Sequence, residues 1–82
     1  MHIFCQCVLH IIYNFYMLFG KNFRKIRKEN GLTQKEVAKK LNLSQSNVSD
    51  WENDVSRPEY EHLIELTRIY NVSLEELLDL NC

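Results

Sequence analysis

TQKEVAKKLNLSQSNVSDWEN, residues 33–53, reads as two short helices joined by a tight turn. Thr33 and Glu36, three positions apart, form a capping box, in which each side chain can accept from the other residue's unpaired backbone amide. Val37, Ala38 and Leu41 then share one side of a helix. Asn42 follows the last apolar position, and asparagine tolerates the left-handed backbone that ends a helix. Ser44 suits the cap of a second helix, whose inner face is Val48 and Trp51. Gln45, Ser46, Asn47, Ser49 and Asp50 are left on its outer face.

A helix-turn-helix needs this arrangement: a small residue where the helices cross (Ala38), a permissive turn (Asn42), a branched apolar residue closing the pair (Val48), and an outer face rich in hydrogen-bonding groups. At these residues the chain resembles the Cro and phage-repressor family of DNA-binding domains, also called XRE-type. Phe23, Ile26 and Arg27 followed by GLTQ look like the family's first helix and its exit, and WEND followed by SRP looks like the end of its recognition helix. EYEHLIELTRIYNVSLEELL looks like its last two helices. The resemblance covers roughly residues 19–79 and departs from the family at Asn42 and Asp54, where glycine is more usual; both replacements tolerate turn conformations. It implies an all-α, compact five-helix lambda-repressor-like DNA-binding domain over residues 19–80; the apolar N-terminal extension at residues 1–18 has no counterpart in the family.

Eighty-two residues suit one domain. A net charge of −1 looks wrong for a nucleic-acid binder until it is divided along the chain. Between Lys21 and Ser49 eight basic residues face only Glu29 and Glu36, whereas from Asp50 onward nine acids face Arg57 and Arg68. Two solvated surfaces of opposite sign would explain this. We favour a basic face that meets phosphate and an acidic face turned away from it, because the basic half contains the helix-turn-helix.

Helical spacing predicts a first helix over residues 18–30, with Phe19, Phe23 and Ile26 inward and Gly31 as its stop. The next two helices are expected over residues 34–41 and 45–53. Pro58 suits the first turn of a fourth helix, where its missing amide hydrogen is no loss. Tyr60, Leu63, Ile64, Leu66, Ile69 and Tyr70 form its apolar stripe. Ser73 and Glu76 form a second capping box before a short fifth helix with Leu74, Leu77 and Leu78. No segment alternates as a half-buried strand would.

Residues 1–18 hold no Lys, Arg, Asp or Glu. Four readings compete. The preferred one is a dispensable leader or a misplaced start, with translation beginning at Met17. Another is a helix lying on the domain or at a dimer contact, with His2, Gln6, His10 and Asn14 as a polar stripe. A membrane segment is disfavoured, because the apolar run falls short of ~20 residues and is interrupted by polar groups. A metal site of His2, Cys5, Cys7 and His10 lacks the usual zinc spacings. Three cysteines near the ends suggest no disulfide framework, so a reducing cytoplasm is the expected compartment.

The expected base-contacting residues are Gln45, Ser46, Asn47, Ser49 and Asp50. The Gln45 amide can pair with adenine in bidentate fashion, and the Asp50 carboxylate can accept only from a donor such as cytosine N4. By resemblance Gln34 is a phosphate anchor at the start of the second helix, where backbone N–H groups also point outward. Lys35, Lys39, Lys40, Ser44, Asn53 and Arg57 are further phosphate candidates, though exposed lysines equally serve solubility. The resemblance also implies a structural ion pair between Arg27 and Glu52. The chain shows no catalytic constellation and no Gly-rich phosphate loop, so it is not read as an enzyme. No cofactor, metal or small-molecule substrate is expected. The sequence therefore reads as a sequence-specific transcriptional regulator, a small repressor binding double-stranded DNA at a palindromic operator as a homodimer. The rival is an antitoxin or other protein-interaction module on the same fold, and a second rival is a membrane-tethered regulator.

Overall fold

The computed structural model describes residues 19–79, which form five α-helices and no strand among the described residues. These are α1 Gly20–Glu29, α2 Gln34–Leu41, α3 Gln45–Glu52, α4 Tyr60–Tyr70 and α5 Leu74–Leu77. The readings of residues 1–18, including the metal site, lie outside the described residues. Among those described, no helix is long and apolar enough to cross a membrane.

Local chemistry accounts for most of the boundaries. Before α2 the capping box is complete: Glu36 N–H donates to Thr33 Oγ1 at 3.1 Å and Thr33 N–H to Glu36 Oε1 at 2.9 Å. Thr33 holds the exposed Glu36 carboxyl below its ordinary range, through its backbone N–H first and its hydroxyl second. Asn42 ends α2 at φ 59°, ψ 40°, and Asn71 ends α4 at φ 54°, ψ 48°. Before α5 only half of the expected box forms: Glu76 N–H donates to Ser73 Oγ at 3.1 Å without the return bond.

Two expectations need correction. Pro58 does not sit in the first turn of α4; Glu59 is the N-cap, in extended backbone, and Pro58 precedes it. Tyr60 is not part of the apolar stripe, since at the first position of α4 its side chain is 69% exposed. The stripe reaches the interior only from the second turn on, where Leu66 and Tyr70 are buried and Leu63 and Ile69 pack beside them.

α2 and α3 pack most extensively on each other, and α1 lies across α3. Val37 and Leu77 are the largest fully buried side chains, and Phe23, Ile26, Ala38, Leu41, Val48 and Trp51 complete most of the core around them. Burial in the core gives each of the larger of these side chains roughly 1.5–3 kcal/mol relative to exposure.

Three features fix α1 in place. A β-carbon on Gly20 would lie 2.3 Å from the Glu52 carbonyl oxygen and 2.7 Å from that of Trp51, so the start of α1 meets the end of α3 backbone to backbone. Phe19 offers α1 no side-chain cap, and Asp54, held at φ 60°, accepts from Gly20 N–H at 2.9 Å instead. A carboxylate there also faces the positive end of the helix dipole. Asn22 Nδ2 donates to the Glu76 and Leu77 carbonyls at 3.0 and 2.7 Å, clasping α5.

Gly20→Ala is expected to lower stability by about 1–3 kcal/mol, because a methyl group must separate two backbones. A thermal melt indistinguishable from that of the wild type would show that the two helices do not need this approach.

Candidate nucleic-acid interface

Val48, Trp51 and Glu52 bury one side of α3, which leaves Gln45, Ser46 and Asn47 exposed and Ser49 and Asp50 partly so. All five expected base-contacting residues therefore reach the surface of one helix, but they are not equally unencumbered. Asn47 turns back: its Oδ1 accepts from Ser44 Oγ at 2.7 Å and from Ser44 N–H at 3.3 Å. With that hydroxyl hydrogen spent, the 2.9 Å approach of Ser44 and Ser46 is made by Ser46 Oγ donating. Ser49 Oγ and its carbonyl both accept from Asn53 Nδ2, at 3.2 and 2.9 Å. The Asp50 carbonyl receives Val55 N–H at 2.9 Å and Ser56 N–H at 3.4 Å, which folds the following loop against the helix end.

Behind the outer face stands a polar chain. Glu52 is 4% exposed and Arg27 8%. Arg27 Nε donates to Glu52 Oε2 at 2.6 Å, Nη2 donates to Oε1 at 3.0 Å, and Nη1 reaches the Leu32 carbonyl at 2.8 Å. This two-bond fork is the strong geometry for an Arg–carboxylate pair. Gln34 Nε2 also donates to Glu52 Oε1 at 3.0 Å. That bond sets the orientation of the amide and leaves Gln34 Oε1 to accept from Gln45 Nε2, at a long 3.4 Å. The leading base-reading candidate is thus joined through Gln34 to the buried ion pair.

Burial is the largest single influence on Glu52 and pushes its carboxyl up. The bonds from Arg27 and Gln34, the Arg27 charge and the Arg24 bond together outweigh it, and hold the group below the ordinary carboxylate range. The Glu52 bond in turn raises Arg27. Tyr70, buried beside the pair, is pushed up, first by burial and then by the Glu52 charge.

The expected phosphate contacts spread around this centre. One Gln34 amide hydrogen goes to Glu52, so its remaining amide hydrogen and the first-turn N–H groups of α2 are what it offers an anion. Lys35, Lys39 and Lys40 are exposed on α2. Lys35 and Lys39 border an open hollow of about 390 Å³ with Asn42, Leu43 and Gln45. Asn53 is engaged at both ends, since Oδ1 accepts from Arg24 Nη2 at 3.0 Å while Nδ2 holds Ser49. Arg57 lies over the Phe19 ring, 5.8 Å from its centroid. Ser44 caps α3, as its Asn47 bonds describe.

Sequence reasoning missed Arg24, whose Nε stands 3.5 Å from Glu52 Oε1 and whose position one turn before Arg27 was the available signal. It also missed the capping by Asp54, which nothing in the local sequence announces. His62, at the start of α4, is half-buried with its ring 5.5 Å from that of Trp51. Among the described residues, no group of three or more His, Cys, Asp or Glu could hold a metal.

Comparison with known proteins agrees with this geometry. A family model described as helix-turn-helix matches residues 23–77. The HTH-type transcriptional regulator ImmR of Bacillus subtilis is 42% identical over 62 residues, which are 76% of this chain and 49% of that protein. The crystal structure of the P22 c2 repressor in complex with a synthetic operator superposes with a TM-score of 0.71 at 28% identity, covering 79% of this chain and 98% of the repressor chain. A transcriptional regulator from Listeria innocua superposes with a TM-score of 0.69 at 30% identity, covering 74% and 57% of the two chains. The chain spans about half the length of the first curated relatives it matches, 49% of one and 53% of the next.

Glu52→Ala is expected to cost about 3–5 kcal/mol, because it strands a buried guanidinium. The Arg27→Ala, Glu52→Ala double variant should lose less than the sum of the two single losses, and strictly additive melts would mean that the side chains do not interact. The Glu52 carboxyl titrates lower in the folded protein than in the unfolded chain. Its stabilising effect is therefore present above the ordinary glutamate value of about 4.3 and is lost as pH falls through the lowered value. Glu52→Gln should remove that part of the acid dependence, which thermal melts between about pH 5 and 2 would detect.

Proposed function

The chain belongs to the helix-turn-helix family of Cro and phage-repressor type, and on that footing we propose that it is a sequence-specific DNA-binding regulator of transcription, acting as a repressor. The observation that carries the reading is α3 itself. Its outer face offers Gln45, Ser46, Asn47, Ser49 and Asp50, while Glu52 on its inner face is gripped by Arg27. A helix clamped from behind presents its outer side chains in a fixed register, as major-groove reading requires.

In this reading Gln45 pairs with adenine, its amide already oriented by Gln34. Ser46 and Ser49 reach base edges or phosphates, and Asp50 accepts from cytosine and excludes sites that would set it against a phosphate. Gln34, Lys35, Lys39 and Lys40 hold the backbone, joined by Ser44, Asn53 and Arg57 from the ends of α3 and the loop after it. The acidic residues of α4 and α5 turn away from the nucleic acid. An eight-residue recognition helix reads few base pairs, so two copies act as a homodimer on an inverted repeat with half-sites roughly 34 Å apart. Repression is steric, by occupation of a promoter in the cytoplasm. P22 c2 is a repressor seen on its operator, and its likeness to this chain supports the reading.

In vitro selection of duplexes by the full chain tests it. Inverted half-sites should emerge, and a consensus without symmetry, bound by one copy, would remove the homodimer. On the selected duplex Gln45→Ala should weaken binding by about 1–3 kcal/mol per half-site and relax preference at one base pair. Lys40→Ala should weaken all sequences alike and reduce the salt slope by about 0.9 for each phosphate it no longer neutralises. If Lys40→Ala changes the consensus and Gln45→Ala does not, the reading face is rotated from the one proposed.

A further inference from the structure

The Glu52 carboxylate has two outlets toward the surface of α3. One runs through Gln34 to Gln45. The other runs through Arg24, whose Nε stands 3.5 Å from Glu52 Oε1 and whose Nη2 donates to Asn53 Oδ1 at 3.0 Å. A guanidinium can only donate, so Arg24 fixes which way round the Asn53 amide sits, with its oxygen toward α1 and its nitrogen toward Ser49. Asn53 Nδ2 then donates to the Ser49 carbonyl at 2.9 Å and to Ser49 Oγ at 3.2 Å. A serine inside a helix commonly turns its hydroxyl hydrogen back to the carbonyl four residues earlier. Among the described residues no acceptor takes the hydroxyl hydrogen of Ser49, which lies one turn after Gln45 on the same stripe of α3.

Ser46 is set the opposite way. A backbone N–H can only donate, so Ser44 N–H fixes the Asn47 amide with its oxygen toward Ser44. The Ser44 hydroxyl hydrogen goes to that oxygen at 2.7 Å, and Ser46 spends its own on Ser44 Oγ at 2.9 Å. Ser46 therefore presents lone pairs outward, and Ser49 presents a hydrogen. We infer that these internal bonds give two identical side chains opposite roles in base reading. Ser49 donates to an acceptor edge, which is guanine N7 or O6, adenine N7 or thymine O4. Ser46 accepts from a donor edge, which is adenine N6 or cytosine N4. Arg24 and Asn53 are the positioning residues that fix the role of Ser49. A hydroxyl free to rotate would meet either kind of edge and discriminate neither, whereas one held from behind discriminates. The inference rests on the DNA-binding reading and adds to it which base edges the two serines distinguish.

Selection of duplexes by the full chain, wild type and Ser49→Ala, locates the base pair that Ser49 reads as the position where preference relaxes. At that pair, purines with carbon in place of N7 or a thymine analogue without O4 remove an acceptor, and analogues without the N6 or N4 amino group remove a donor. Fluorescence anisotropy then compares the variants on the same duplexes, which cancels whatever an analogue does to the duplex itself. Relative to Ser49→Ala, the wild type should lose roughly two- to tenfold in affinity when the acceptor is removed and nothing when the donor is removed. Arg24→Lys, which still donates to Asn53, should keep this pattern, and Arg24→Met should lose it. Asn53→Asp should reverse it, because a carboxylate beside Ser49 takes the hydroxyl hydrogen and leaves lone pairs outward. Charge changes shift overall affinity, so the ratio between duplexes is the readout. No relaxed position in Ser49→Ala, sensitivity to the donor instead of the acceptor, or the wild-type pattern in either Arg24→Met or Asn53→Asp overturns the inference and leaves DNA binding in place. A wild type that selects no duplex removes the DNA-binding reading and the inference together.

Discussion

The Glu52 carboxylate is the point from which the rest of the structure is held. It is almost wholly buried, yet it receives two bonds from Arg27, one from Gln34 and a longer one from Arg24. A charge removed from water is costly unless its lone pairs are satisfied, and here they are. The donors come from α1 and α2, and the acceptor sits on α3. The one interaction therefore sets the relative placement of three helices, and Arg27 also holds the Leu32 carbonyl at the exit of α1. A well-packed apolar group could stabilise such a core equally well. What the ion pair adds is direction, because its hydrogen bonds fix the rotation of α3 about its own axis as packing alone would not.

That rotation connects architecture to recognition. Val48, Trp51 and Glu52 face inward, so the opposite side of the same short helix must present Ser46, Ser49 and Asp50. Gln34 links the two sides, touching the buried carboxylate with its nitrogen and the exposed Gln45 with its oxygen. Part of the outer face is used to close the helix itself, as Asn47 does for Ser44 and Asn53 does for Ser49. The outer polar residues thus divide into those restrained by the helix ends and those, such as Asp50, whose side chains are not.

Features governed by neighbours in sequence are legible without the structure. The capping box of α2, the left-handed Asn42 and the limits of α2 and α3 follow from residues a few positions apart. The pairing of Arg27 with Glu52, 25 positions away, follows from family resemblance and not from spacing. Interactions across comparable distances with no such guide stay hidden. Gly20 looks like an isolated glycine until α3 is laid against it, and Asn22 looks like an ordinary helix-surface residue until α5 ends beside it. Tyr60 is misjudged for the same reason. Helical periodicity says which residues share a stripe, but the neighbouring helices decide how far along it burial extends. The chemical inventory of the candidate interface is readable in the sequence, whereas its internal wiring requires the fold.

The Asp54 carboxylate closes the amino end of α1 from 34 positions away, directly after the helix on which recognition depends. Most helices fray from their ends independently, each opening its own terminal turn. Here the last turn of α3 and the first turn of α1 share a clasp and a backbone approach, so neither can open alone. The recognition helix accordingly has no loose carboxyl end of its own. Opening at that point is shared between two helices, and the reading surface gains the persistence of the scaffold behind it.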